Sequence, residues 1–146
     1  MISKTVLVLA GMFGEGLRAE LVAGAISRGL TAEAHLACDA CPLEEDIATP
    51  TTDVSGALDE VDFDRRMRAC RAVVLACARL EDRALLGSIV FEAATRARQS
   101  GVPAYAVTGE NALDPFEARI VDLQVILQAS TARALGAAGR KLAALV

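Results

Sequence analysis

The chain of 146 residues has the length of one domain and a net charge of −4, with 53% apolar, 23% charged and 3% aromatic residues. That length buries a core without disulfides or metal, while negative charge, scattered Lys and Arg and few aromatics exclude a nucleic-acid backbone binder or base-stacking platform. With no apolar run of about eighteen residues and no charged-then-apolar leader, a cytoplasmic protein without a membrane partner is expected.

The stretch TVLVLAG, Thr5 to Gly11, is a continuous β-branched and Leu run bounded by glycine, which predicts a strand buried on both faces of a parallel sheet. Leu17, Leu21, Val22, Ala25 and Ile26 then recur at helical spacing, with Arg18, Glu20 and Arg28 mostly on the other face and Gly29 as the stop. TAEAHLA reads as a second strand. From Cys38 to about Val61 both periods dissolve into Pro, Thr, Asp and Glu, which predicts a long loop. DFDRRMRACR reads as a short helix capped by Asp62 or Asp64, and AVVLACA as the third strand. LLGSIVFEAATRARQSG reads as a second long helix and VPAYAVTG as the fourth strand. A short helix opens at Asp114 with Pro115 in its first turn, DLQVIL is the fifth strand, and STARALGAAGRKLAALV the closing helix.

Strands alternating with helices imply one α/β domain over residues 1–146, a three-layer doubly wound parallel sheet of about five strands, Rossmann-like or flavodoxin-like in order. Ligands of such sheets sit outside the carboxyl ends of the strands, where the strand order reverses. The loops starting at Gly11, Cys38, Cys77, Gly109 and Gln128 therefore line the expected site.

Gly11, Gly14 and Gly16 form G-x-x-G-x-G between a strand and a helix, where free amides and the positive helix end favour an anion. Neither the dinucleotide spacing nor a following G-K-[ST] is present, and Glu15 adds a negative charge. A glycine-eased tight turn is the other reading. Gly87 and Ser88, at the start of the second long helix, could face the same crevice. ARLEDR after the third strand reads as a solvated loop or a substrate clamp, and Glu110 and Asp114 are carboxylates able to meet a ligand or, for Asp114, to cap a helix. His35, the one histidine, is expected as a hydrogen-bonded imbedded imidazole on an apolar strand. Cys38 and Cys41 have C-x-x-C spacing, and with Cys77 they make a candidate metal or redox group at strand ends.

Two segments carry a family resemblance. KTVLVLAGMFGEGLRAELVAGAISRGL resembles the first strand and helix of the bacterial class I glycerate kinases, whose pattern runs from a Val-Leu-Val strand through Asp-Ser-Phe-Lys-Gly into an Ala-rich helix ending Arg-Gly-Leu. The stretch from Ala57 to Gly109 resembles their carboxyl-terminal part, including Phe-Asp and Gly-Val-Pro before a strand. The resemblance implies that residues 38–61 replace an inserted second domain. It also places Gly11 and Gly14 where the family has Asp and Lys, Leu75 to Ala78 where it has Thr-Gly-Glu-Gly, and Gly87-Ser88 where it has Gly-Lys. Phosphoryl transfer depends on positive charge and metal at the phosphate oxygens. The implied protein is a catalytically inactive glycerate-kinase-like module. The alternatives are a kinase or other phosphotransferase using ATP and Mg, completed by another chain or rebuilt on Arg79, Glu81, Arg83 and Ser88, and a Cys-based metal or redox protein. Surface left bare by the missing domain implies a homodimer or a complex with another protein chain.

Overall fold

The computed structural model describes residues 3–14 and 16–146, without the side chains of Arg83 and Ala84. The expectations for Glu15 and for the Arg83 side chain therefore lie outside the described residues. Five strands form one sheet: β1 (Thr5–Ala10), β2 (Ala37–Pro42), β3 (Ala72–Glu81), β4 (Ala104–Ala112) and β5 (Leu123–Gln128). All neighbours are parallel, in the order β2-β1-β3-β4-β5. That order is the flavodoxin-like one and settles the choice left open by the element pattern.

The helices are α1 (Ala19–Leu30), α2 (Val54–Glu60), α3 (Phe63–Arg68), α4 (Asp82–Leu85), α5 (Ile89–Gln99), α6 (Pro115–Val121) and α7 (Ala132–Ala143). Alternation along each strand divides the core in two. Val6, Val8, Val74 and Val107 pack with Ile26 and Leu30 of α1 and Leu135 and Leu142 of α7. On the opposite face Leu7, Leu9, Val73 and Leu75 pack with Leu58, Phe63 and Met67 of α2 and α3 and with Ile89 and Val90 of α5. The central strands are buried on both faces, so they read in the sequence as unbroken apolar runs.

Three local expectations are corrected. TAEAHLA is mostly a turn after α1, and the second strand lies later, over Ala37–Pro42, inside the stretch expected as loop. Its polar face pairs with Arg66 and it sits at a sheet edge, so it lacks the apolar pattern of a central strand. His35 accordingly stands exposed in the turn instead of buried in a strand. The stretch 38–61 also contains α2, whose start is fixed by Asp53 Oδ1 accepting from Gly56 N at 2.9 Å, which leaves 43–53 as the connection. Leu21, placed by its spacing on the inner face of α1, is 54% exposed.

Candidate functional site

The strand order reverses between β1 and β3, where a doubly wound sheet opens its crevice. Here the crevice is filled by the chain itself. Leu43 N donates to Ala10 O at 2.8 Å, Met12 N to Glu45 O at 2.9 Å and Val90 N to Ile47 O at 2.9 Å, lacing the segment after β2 across the switch point. Ile47 at the centre of this segment is fully buried. Gly11 is required by that approach, since a Cβ there would lie 2.8 Å from both Glu45 O and Ile47 Cγ1.

The turn after Gly11 is closed by Phe13 N to Leu17 O at 2.8 Å and Leu17 N to Gly14 O at 3.3 Å, with Gly14 at φ +133°. Gly14 and Gly16 are exposed, and a Cβ on either would meet no atom within 4 Å. Helix α1 begins after Arg18, whose side chain makes no cap bond. The Glu44 carboxylate does this instead: Ala19 N donates to Glu44 Oε2 at 3.0 Å, and Arg18 Nε to Oε1 at 3.4 Å. A carboxylate of the same chain thus occupies the helix end where the glycine pattern predicted a ligand anion.

Ser88 is fully buried and caps α5, its Oγ accepting from Phe91 N at 3.1 Å. Gly87 O accepts from Thr51 N at 3.3 Å. The charged stretch after Cys77 is strand as far as Glu81 and then opens α4, not a loop, because β3 and β4 run on together beyond β1 through the pairs Arg79↔Glu110 and Glu81↔Ala112. On that projection Arg79 bridges Glu81 at 3.2 Å and also Glu110, with Arg79 and Glu110 exposed and Glu81 half-buried. Asp114 is the cap of α6, accepting from Glu117 N at 2.8 Å.

The cysteines do not converge. Cys38 and Cys41 are three residues apart on one strand, so their side chains leave opposite faces of the sheet, and they pack in different halves of the core. Cys41 shares its face with Cys77, but β1 lies between their strands. Burial pushes the thiols of Cys38 and Cys41 up, that of Cys70 to about 11 and that of Cys77 to about 12. Such thiols are protonated at neutral pH and make poor nucleophiles. Cys77 Sγ points at Thr108 Oγ1, 3.9 Å away, and Thr108 donates to Glu110 O at 3.0 Å. Among the described residues no group of three His, Cys, Asp or Glu side chains is placed to hold a metal.

Two clefts lie elsewhere. One of about 490 Å³ opens beside the β5 edge, between Ile126, Gln128 and Lys141. The other, of about 320 Å³, lies between α1 and α7. Among the described residues no helix is long and apolar enough to cross a membrane.

No protein-family model matches this chain, and no curated protein does. Solved structures do. The signal receiver domain of the response regulator NarL from Mycobacterium tuberculosis is similar with a TM-score of 0.52 at 14% identity, over 99% of this chain and 98% of that one. The Francisella novicida lysine decarboxylase LdcF is similar with a TM-score of 0.53 at 14% identity, over 97% of this chain but only 17% of the enzyme. These likenesses show the fold alone, a flavodoxin-like three-layer α/β domain.

These likenesses correct the family expectation. Neither the sequence comparisons nor these neighbours support a glycerate kinase, and the inactive-kinase, kinase and transferase readings fall with it, while the Cys-based reading has no support in the separated cysteines. The physical reason lies in what carried the resemblance: a buried Val-rich strand, a glycine turn, a small-residue helix and a Gly-Val-Pro strand entry suit many doubly wound sheets and mark no one family. The charged motifs specific to the kinases were the parts that did not match.

Sequence reasoning overlooked Glu44, Ile47 and Thr108. Nothing local marks the first two, since each acts on a segment more than twenty residues away, on Ala19 or Val90. Among the described residues Thr108 is one of two fully buried polar residues, at the end of the buried apolar part of β4, and that position was its only signal.

Proposed function

We propose that this chain is a non-catalytic regulatory module of the receiver-like kind, acting through protein association as a homodimer. The observation that carries the reading is the filled switch point: buried Ile47 and the backbone of Glu45 occupy the place where sheets of this order hold a ligand. Gly11, Ala76, Cys77 and Thr108 at the strand ends carry neither a carboxylate nor a cation, and the Asp46 carboxylate near enough to act on Cys77 belongs to the covering segment, is exposed and accepts from Ala48 N at 3.0 Å. Glu44 serves α1 as the anion that the glycine loop would otherwise recruit, so the loop is read as structural. The receiver domain of similar fold belongs to a response regulator, and a module with a closed centre keeps the part of that role exercised through its surface.

The surface that fits a second copy is the β5 edge. LQVILQ carries no charge and no proline, two of the devices that normally protect an edge strand, and its one irregularity is a shift in the pairing with β4 between Leu123 and Ile126. Beside it Phe116 and Ile120, one turn apart on α6, are 68% and 43% exposed. A two-fold axis alongside β5 pairs the edge with itself and covers both side chains, as an isologous interface requires. Sedimentation equilibrium at micromolar concentration tests this. A dimer in the native chain and a folded monomer in Phe116→Glu/Ile120→Glu is expected. A native monomer, or a double variant that remains dimeric, would overturn the homodimer.

A further inference from the structure

Helices α1 and α7 touch backbone to backbone. A Cβ on Gly29 would stand 2.1 Å from Gly136 O, and one on Gly139 would stand 2.3 Å from Ile26 O. Only glycines permit that approach, and the shallow floor it leaves on the solvent side is the cleft of about 320 Å³. Its walls are cationic. Arg28 comes from α1, and Arg133 and Arg140 come from α7, where the spacing Arg133, Gly136, Arg140 keeps them on one face. The Arg28 guanidinium lies back over Gly24, with Nη1 3.4 Å from where a Cβ would be, and that of Arg140 over Gly136 at 3.9 Å. The absent side chains give both guanidinium groups room beside the cleft.

Among the described residues, none of these three arginines has a carboxylate within ion-pair distance, whereas Arg18, Arg65, Arg66, Arg79 and Arg96 all do. In a chain of net charge −4, three uncompensated guanidinium groups around one concavity are a local inversion of sign. Their mutual repulsion is relieved by an anion, and their planar donors match phosphate or carboxylate bidentately. Ala132, the first residue of α7, also lines the cleft, so the positive end of the helix adds to the field.

We propose that the α1–α7 cleft binds a small phosphorylated anion carrying two or more negative charges, held by Arg28, Arg133 and Arg140. The volume lies at the lower end of small-molecule sites. The lining has no aromatic ring on which a base would stack, so the phosphoryl groups carry the recognition. A concave site with three cations suits a compact anion better than a duplex, whose backbone needs a longer basic stripe. The cleft lies across the sheet from Phe116 and Ile120, so the inference stands apart from the dimer.

The test is calorimetric titration of the full chain with inorganic pyrophosphate, with inorganic phosphate and a short duplex DNA as comparison arms. Saturable pyrophosphate binding is expected, stronger than phosphate and weakened by added salt. Arg133→Gln and Arg140→Gln should each raise Kd by about tenfold or more, with the thermal midpoint of the free protein unchanged because both side chains are exposed. The inference is overturned by the absence of heat at millimolar pyrophosphate, by binding that the arginine variants leave intact, or by duplex binding that pyrophosphate does not displace.

Discussion

Among single residues, the pairing of Arg66 with Asp39 is the most consequential charge interaction. Arg66 donates Nη2 to Asp39 Oδ1 at 2.7 Å and Nε to Oδ2 at 2.9 Å, and it reaches Val61 O and Ala40 O besides, tying α3 to the edge strand β2. The guanidinium holds the Asp39 carboxyl below its ordinary range. The carboxyl is depressed in the folded state, so its stabilisation is complete above the unfolded carboxyl's range and is lost as pH falls through the folded value. Asp39→Ala should cost about 1.5–3 kcal/mol at neutral pH, and the gap between variant and native midpoints should close in acid denaturation scans. The thiols behave oppositely. Cys70 and Cys77 ionise near 9.0 when unfolded but only at about 11 and about 12 when folded. Their contribution is full below pH 9.0 and is lost as pH rises toward those folded values. Thiol titration at neutral pH should accordingly label both only as fast as the protein opens, and rapid labelling of the native protein would contradict the burial.

Among elements, α1 is positioned by two long-range contacts that no helix propensity supplies. One is the glycine crossing with α7. Gly29→Ala forces a methyl group against Gly136 O and Arg140 N, backbone atoms with no rotamer to escape into. A loss of about 1–3 kcal/mol in urea unfolding is expected, as for other overpacked sites. The second is the Glu44 carboxylate on the α1 amino terminus, a cap delivered from the segment after β2. Glu44→Ala should cost about 1 kcal/mol, and because Glu44 is exposed the variant should otherwise fold normally. If Glu44 stands in for an anion, added sulfate should recover part of the loss in Glu44→Ala and do less for the native chain. Equal effects on both would remove that interpretation.

For the whole molecule, a parallel sheet with helices on both faces leaves two edges, and they differ. The β2 edge carries Asp39 and is bridged by Arg66, while β5 is uncharged and flanked by exposed apolar side chains. The thermal midpoint should therefore rise with protein concentration if β5 is the interface, because association stabilises only the folded state. The Phe116→Glu/Ile120→Glu chain should show a concentration-independent midpoint.

Local sequence was enough for much of this. Continuous apolar runs identified β1, β3, β4 and β5, helical spacing identified α1, α5 and α7, and the Asp114-Pro115 pair placed the start of α6. These signals are local because burial on both faces or on one stripe imposes a period on neighbouring residues. The edge strand β2 escaped because its partners, Arg66 and β1, rather than its own pattern, hold it in place. The site escaped more fully. Three glycines, a serine after glycine and a C-x-x-C pair look alike whether they serve a ligand or the backbone. The sequence by itself determined the class of fold and, Leu21 apart, the inner faces of its main helices. Tertiary structure alone decided that Ile47 closes the switch point, that Glu44 supplies the helix anion and that three arginines share one cleft. Each of those results is a meeting of segments distant in the chain, which no local period encodes.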